Sequence, residues 1–249
     1  MRSPKLIHLM GILAVVLSPA LITLSGFSSV RAQSQQGELL ALNFPSAPRN
    51  IGGPRSSAGG GVRGNGNETC IEGESPLTAL TPTHDIVKTV TPNPEFFMYV
   101  PKNSAASGEF VIVDEKGNDV YLSTFELSEA PGVVKVSLPA NTDLEIDQVY
   151  DWQFSLICDP LDRQVDVFVQ GQIQPTQLTE EMQTQLDQAQ PLDQVQLYVD
   201  QSLWNEAVSL LAQFRNSNPT EWQGLLKYVG LEDIASEPLP IQTIGTSQN

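Results

Sequence analysis

The chain of 249 residues is acidic, with a formal net charge of −16, and 40% of its residues are hydrophobic. A charge of this sign repels nucleic acid and anionic membrane surfaces, which excludes both as expected partners. The two cysteines, Cys70 and Cys158, are too far apart for a C-x-x-C redox motif or a zinc cluster.

The first 32 residues have the layout of a secretory signal peptide. A basic start precedes an apolar run over residues 9–24, and Val30-Arg31-Ala32 forms a cleavage site of the A-x-A type. The pattern predicts cleavage between Ala32 and Gln33 and a periplasmic or secreted protein. An uncleaved membrane anchor is the alternative, but Pro19 and the polar residues after it interrupt the apolar stretch. Cleavage removes three basic and no acidic residues, so the mature net charge is −19.

Residues 33–69 are rich in Gly, Ser, Pro, Asn and Gln and poor in large apolar side chains, which predicts a flexible arm. Residues 59–64 satisfy the letters G-x-G-x-x-G. A dinucleotide site also needs a strand before this motif and a helix after it, and neither is predicted. No spacing typical of a metal site is present either. We therefore expect no cofactor and no metal.

Residues 70–175 consist of short runs of alternating polarity separated by turn residues, which predicts an antiparallel β-sandwich of the immunoglobulin-like kind or a barrel. In the stretch from Tyr150 to Cys158, alternate side chains form an aromatic core face, while Asp151, Gln153 and Ser155 line the other face. The following strand is predicted to direct four side chains inward, namely Val165, Val167, Val169 and Ile173.

The two cysteines flank this β-rich region. Cys70 stands at its start, just after the glycine-rich arm, and Cys158 stands at the end of the aromatic strand. In an oxidising compartment the default for two such thiols is a disulfide, worth up to roughly 4–5 kcal/mol in the chain-entropy model. Two free buried thiols, acting as small hydrophobic side chains, are the alternative.

Helical periodicity replaces the alternation in residues 176–235, and residues 236–249 are predicted to be a disordered tail. Ser202 is a plausible N-cap for one helix, and a second helix is predicted to start at Pro219 and end at Gly230. The apolar stripe of the first helix comprises Leu203, Ala207, Leu210, Leu211 and Phe214.

The two helices resemble a single tetratricopeptide-like hairpin, and one such repeat does not bury its own apolar face well. The hairpin therefore packs on itself, on the sandwich or on both, or it docks a partner helix. The candidate docking residues are the aromatic side chains of Trp204, Phe214 and Trp222.

Seven segments carry a resemblance to a known protein family: GGGVRG (59–64), SPLTALTP (75–82), PEFFMYVP (94–101), PGVVKVSLP (131–139), YDWQFSLICDPLDRQVDVFVQGQI (150–173), WNEAVSLLAQ (204–213) and WQGLLKYVGLEDIASEPL (222–239). They resemble a cyanobacterial family known as domain of unknown function 928, over roughly residues 50–240. The resemblance implies an exported cyanobacterial protein. It supplies no catalytic residues to carry over to this chain.

Catalytic groups are scarce in the exported part. His84 lies in a Pro/Thr-rich loop, and no G-x-S-x-G elbow presents a serine to it. Paired carboxylates for glycoside chemistry would have to come from loop acids that turn formation already explains, namely Asp114, Glu115, Asp159 and Asp162. No catalytic constellation is found.

Two hypotheses from different classes follow. The first is a non-enzymatic envelope protein that binds an unknown protein or a surface polymer, or is structural. The second is a carbohydrate-binding or carbohydrate-active protein that uses acids and aromatic residues such as Tyr99 and Trp152, although the strand pattern directs Trp152 inward.

We predict that the exported protein begins at Gln33. Intact-mass spectrometry and N-terminal sequencing of protein recovered from the native host envelope should show the loss of residues 1–32. A mature protein that retains these residues would contradict the signal-peptide interpretation and support the membrane anchor.

Overall fold

The computed structural model describes residues 42–44, 61–62, 70–82, 86–142 and 144–244. The predicted signal peptide, its cleavage site at Ala32 and Gln33, and His84 lie outside these residues. Within them the protein is mainly β, with four helices that follow the first nine strands.

Ten strands are present in the described ranges: β1 (Gly61–Val62), β2 (Thr78–Ala79), β3 (Val87–Thr89), β4 (Glu95–Val100), β5 (Ser107–Val113), β6 (Asp119–Phe125), β7 (Gly132–Ser137), β8 (Tyr150–Ile157), β9 (Val167–Pro175) and β10 (Ile241–Ile244). The helices are α1 (Glu180–Gln188), α2 (Pro191–Asp200), α3 (Trp204–Phe214) and α4 (Pro219–Tyr228).

The strands form two mixed sheets. The six-stranded sheet has the order β1-β9-β8-β5-β6, with β3 also paired to β9, and the four-stranded sheet has the order β10-β7-β4-β2. Two pairs, β3 with β9 and β10 with β7, are parallel. The expectation of a purely antiparallel sandwich was therefore wrong for these pairs. Both join strands distant in the chain, and alternating polarity carries no information on strand direction.

The hairpin between β5 and β6 explains one of the candidate acids. Asp114 Oδ1 accepts hydrogen bonds from the backbone N–H groups of Lys116 (2.9 Å) and Asn118 (2.8 Å). Gly117 adopts a φ of 80°, which a residue without Cβ reaches without strain. Asp114 therefore closes a turn.

Strand β4 is buried on both faces. One face carries Phe96, Met98 and Val100, and the other carries Phe97 and Tyr99; none of these side chains is more than 3% exposed. Since successive side chains of a strand point to opposite faces, β4 needs a cover on each side.

The six-stranded sheet covers the first face of β4. The Phe96 ring lies 4.8 Å from the ring of Phe110 on β5 and 5.6 Å from the ring of Trp152 on β8. Val134 and Val136 of β7 join the same cluster. On β8 and β9, the predicted inward side chains are buried here, namely Tyr150, Trp152, Phe154, Leu156, Val167, Val169 and Ile173.

The helices cover the second face of β4. Phe97 and Tyr99, with Val133 of β7, pack in a second cluster with apolar side chains of α2, α3 and α4. The buried members from the helices are Val195, Val199, Trp204, Ala207, Val208, Leu211, Ala212, Trp222, Leu225 and Leu226. From residue 42 onward the described residues are thus layered as sheet, sheet and helices, and the helical unit (α2–α4) is part of the fold.

Polar contacts attach the start of α3 to the sheets. Asn205 Nδ2 donates to the Glu95 carbonyl oxygen at 2.7 Å. Glu206 Oε1 accepts from the Thr89 hydroxyl (2.5 Å) and from the backbone N–H of Val90 (2.8 Å) and Thr91 (3.2 Å). These bonds satisfy backbone groups just after β3 and fix where α3 begins on the sheet.

Cys70 and Cys158 form a disulfide, with an S–S distance of 2.07 Å and a Cα–Cα distance of 5.2 Å. The neighbouring backbone is also bonded, because the N–H of Ser104 donates to the Cys70 carbonyl (2.8 Å) and that of Cys158 to Asp166 Oδ1 (3.2 Å). Asp166 is ion-paired with Arg163, whose pKa is raised by its hydrogen bonds to Glu109 and Asp166.

Two expectations about the chain ends were wrong, at three places. Residues 241–244 of the predicted tail form β10 beside β7, because the edge of the four-stranded sheet offers unpaired backbone groups to an apolar run. Within the predicted flexible arm, Gly61–Val62 pairs with β9. Leu42 and Phe44, also in that arm, pack on the helical unit.

Local predictions also need correction. Val165 lies in a 3-10 turn that Asp162 caps by accepting from the N–H of Gln164 (3.0 Å), so it is only half-buried. Ser155, predicted to face outward, is 2% exposed. Ser202 is not an N-cap: it has a φ of 61° in a turn, and Leu203 occupies the cap position. The start of α4 at Pro219 and its end before Gly230 are confirmed.

No helix within the described ranges has the length and apolar character needed to cross a membrane.

We expect that replacing both cysteines with serine lowers the free energy of unfolding by about 2–4 kcal/mol, because the bridge restricts the unfolded chain over a separation of 88 residues. Urea denaturation of the mature protein measures the change. Reductant should shift the wild type by a similar amount and leave the variant unchanged. Equal midpoints for the oxidised wild type and the variant would contradict this prediction.

Candidate functional site

The aromatic residues predicted to dock a partner lie largely inside the protein. Trp204 and Trp222 are 4% and 7% exposed, and Phe214 is half-buried. Trp204 and Trp222 belong to the cluster between the helices and the four-stranded sheet. They therefore do not form an exposed docking surface, because the sheet beneath the helical unit supplies the cover that its apolar face requires.

Trp204 nevertheless takes part in a docking contact within the chain. Its ring stacks on the ring of Tyr228 at a centroid distance of 5.1 Å and an interplanar angle of 9°. Phe44 packs against both, with its ring 6.1 Å from Trp204 and 5.5 Å from Tyr228. We call the surface formed by Gln196, Trp204, Gly224 and Tyr228 the aromatic groove. Its occupant is the segment 42–44.

Gln196 recognises the main chain of this segment. Its Oε1 accepts from the backbone N–H of Asn43 at 2.7 Å, and its Nε2 donates to the carbonyl oxygen of Asn43 at 3.1 Å. Nε2 also donates to Asp200 Oδ1, one helical turn on, at 2.8 Å. Asp200 therefore fixes the orientation of the amide. Hydrogen bonds to the N–H and the C=O of the same residue bind an extended backbone whatever its side chains are.

The remaining contacts select side chains. A Cβ at Gly224 would lie 3.3 Å from the Phe44 ring, so glycine on α4 leaves the space into which the ring fits. Leu42 packs on the same cluster, whereas the side chain of Asn43 is exposed. The aromatic groove therefore fits a three-residue segment whose first residue is apolar, whose second is of any type and whose third is aromatic.

The other candidate residues do not assemble into a site. Asp159 and Asp162 accept from backbone N–H groups in their own turns, those of Leu161 (2.8 Å) and Gln164 (3.0 Å). Tyr99 and Trp152, considered for sugar stacking, are 3% and 4% exposed and lie in the two cores. Over the described ranges, no group of three or more His, Cys, Asp and Glu side chains could hold a metal ion.

Sequence reasoning missed Gln196, Gly224 and Tyr228. Gln196 lies in a glutamine-rich region, where nothing distinguishes it from its neighbours, and Gly224 and Tyr228 read as ordinary positions of an amphipathic helix. The available signal was LLALNF (residues 39–44), an apolar and aromatic run inside a segment rich in polar and small residues.

Comparison with known proteins gives one family match. The model of the family described as Domain of Unknown Function (DUF928) matches residues 58–239, most of the chain. No curated protein matches this sequence.

We predict that Phe44→Ala lowers the free energy of unfolding by about 1–3 kcal/mol, because it removes two aromatic contacts worth about 0.5–1.5 kcal/mol each. Chemical denaturation followed by tryptophan fluorescence measures the loss and reports on Trp204. Leu161→Ala, at a side chain that is 96% exposed, is the control and should leave stability unchanged. Equal effects of the two substitutions would contradict docking of the segment.

Proposed function

Since the chain belongs to the DUF928 family, whose description specifies no activity, we propose a function from its own residues. The protein is an exported, non-enzymatic envelope protein that binds another protein by taking an extended segment into the aromatic groove. The observation that carries this proposal is the bidentate pairing of Gln196 with the Asn43 backbone beside the stacked ring of Phe44.

The segment 42–44 shows which ligand chemistry fits the aromatic groove. Main-chain pairing supplies affinity for an extended peptide, and the aromatic pocket supplies specificity. In this chain the segment occupies the groove in cis. A partner with the same apolar-x-aromatic pattern competes with a tethered segment, whose effective concentration is high. The binding partner must therefore make contacts beyond those of a three-residue segment, or residues 42–44 must first dissociate from the aromatic groove.

The proposed location is the periplasm or the outside of the cell, in a cyanobacterium. The basic, apolar and small-residue order of residues 1–32 supports export. The Cys70–Cys158 disulfide is consistent with an oxidising compartment.

We further propose that the two sheets form a sandwich of the immunoglobulin-like kind and that α3 and α4 resemble one tetratricopeptide-like unit. The packing of Phe96 from one sheet against Phe110 and Trp152 from the other supports the first comparison. The short connection between two helices that share an apolar cluster supports the second.

Carbohydrate binding is the second candidate function. Tyr99 and Trp152 are buried, which weakens it. What favours it is an open cleft near Glu206 lined with amide and hydroxyl side chains, groups that hydrogen-bond sugars. If the protein binds a glycan array and substitutions of cleft residues abolish that binding, this alternative is supported. The absence of binding to any glycan on the array would contradict it.

Binding of a peptide in trans tests the main proposal. We expect a fluorescent peptide with the sequence of residues 40–47, LALNFPSA, to bind the mature Phe44→Ala protein saturably and the wild type more weakly. The matched control is the peptide with alanine in place of phenylalanine. Adding Gln196→Ala to the Phe44→Ala protein should weaken binding at least about fivefold, because it removes two hydrogen bonds to the peptide backbone, each worth about 0.5–1.5 kcal/mol.

The readout is fluorescence anisotropy, with circular dichroism to check that each variant folds. Equal affinity for the two peptides, or no effect of Gln196→Ala in a folded protein, would overturn recognition of this pattern.

A further inference from the structure

A second concavity, here called the polar cleft, lies between the segment joining β3 to β4 and the helices α2 and α3. Its volume is about 390 Å³, within the size range of small-molecule sites. Neither the aromatic groove nor its occupant contributes to it. The residues that matter for its chemistry are Asn93, Glu95, Gln194, Tyr198, Asn205 and Glu206.

Glu206 brings an incompletely bonded carboxylate to the polar cleft. Its side chain is buried, with 9% exposed, and three donors converge on Oε1, from Thr89, Val90 and Thr91. Oε2 is buried and has no hydrogen-bond partner in the described part of the chain. A buried carboxylate oxygen without a donor is costly, so a ligand that supplies one gains that free energy.

The side-chain amides around the cleft are arranged as acceptors. Asn93 Nδ2 donates to the carbonyl oxygens of Pro139 (2.7 Å) and Thr142 (3.0 Å). Gln194 Nε2 donates to the carbonyl oxygen of Leu186 at 2.9 Å. Asn205 Nδ2 is likewise used, on the Glu95 carbonyl.

A carbonyl oxygen pairs only with the NH₂ end of an amide, so these contacts fix the orientation of all three side chains. Their oxygens are then the ends that are left to accept from a ligand. A ligand matched to the polar cleft is therefore rich in donors.

The charge balance also favours a cation. Glu95 is paired with Lys135 on β7, with 2.6 Å between Oε1 and Nζ, so this acid is already neutralised. No Lys, Arg or His lines the polar cleft among the described residues, and Glu206 has no cationic partner there. An anion would meet an unpaired carboxylate, whereas a cation would neutralise it.

Tyr198 adds a neutral hydroxyl. Burial raises the pKa of its phenol, and the charge of Glu206 raises it further, so it stays protonated at neutral pH. A divalent metal is a poor fit, because no group of three ligating side chains exists among the described residues. An ammonium or guanidinium group needs acceptors and one negative charge, which the polar cleft offers.

We propose that the polar cleft binds an organic cation, a primary ammonium or a guanidinium, with Glu206 as its counter-ion and the amide oxygens of Asn93, Gln194 and Asn205 as further acceptors. Glu206 Oε2 has almost no exposed area. Binding therefore includes a small displacement of cleft side chains, such as the exposed Gln213 at its edge. The cation comes from a lysine or arginine side chain of a partner or from a free small amine.

Calorimetric and NMR titrations of the mature protein test the proposal and separate these sources. The probes are Nα-acetyl-lysine methylamide, Nα-acetyl-arginine methylamide and 1,4-diaminobutane, with the uncharged Nα-acetyl-norleucine methylamide as the matched control. We expect saturable binding of at least one cation and none of the norleucine compound. Preference for an amino-acid amide indicates a partner side chain, and preference for the diamine indicates a free amine.

Glu206→Gln keeps the shape and an acceptor for the β3 segment but removes the charge, and we expect about tenfold weaker binding of the cation. Gln213→Lys tests the same point while leaving the hydrogen bonds of Glu206 in place. It adds a cation at the edge of the cleft that competes with the ligand, so we expect weaker binding. Gln185→Lys on α1 makes the same charge change away from the cleft and should leave affinity unchanged.

The proposal is overturned if no cation binds the wild type, if the norleucine compound binds equally, or if Gln213→Lys behaves like Gln185→Lys. Unchanged affinity in a folded Glu206→Gln protein would also overturn it. These outcomes are independent of peptide binding in the aromatic groove, so either site can fail its test alone.

Discussion

The two-sided burial of β4 is the constraint on which the rest of the structure depends. Five successive side chains, Phe96 to Val100, alternate between two apolar clusters. A strand of this kind is stable only between two covers. The six-stranded sheet forms one cover and the helical unit forms the other. Fully burying side chains of this size contributes about 1.5–3 kcal/mol each, so neither cover is dispensable for a protein of ordinary stability.

Both proposed sites exist because the helical unit covers the second face of β4. The aromatic groove is built on α2, α3 and α4 above the cluster that contains Phe97 and Tyr99, and Trp204 belongs to the cluster and the groove alike. The polar cleft lies where the start of α3 meets the end of β3, at the point that Asn205 and Glu206 attach to the sheets. A helical unit that moved freely would preserve neither arrangement, so the recognition chemistry rests on the packing beneath it.

The sequence predicted the elements whose signal is local. Alternation identified the inward faces of β8 and β9, and Pro219 and Gly230 marked the ends of α4. It did not predict contacts between distant segments, such as β10 beside β7 or Phe44 on Tyr228. Their signals are only a few residues long and resemble those of loops. Trp204, Phe214 and Trp222 were identified as aromatic anchors, yet the two tryptophans are buried in a cluster of the protein's own helix and sheet side chains. Glu206 reads as a solvent-facing helix acid, because its donors come from a segment more than a hundred residues earlier.

Native-state hydrogen exchange tests the dependence of the helical unit on β4 most directly, because it reports the free energy of opening for each element separately. The structure predicts that the slowest amides of α3 and α4 exchange with the same free energy as those of β4, in one cooperative opening. It also predicts that Phe97→Ala, on the helical face of β4, lowers all three together. Exchange of the helices through a separate opening of lower free energy, with β4 still protected, would show that the helical unit is an appendage and would contradict this account.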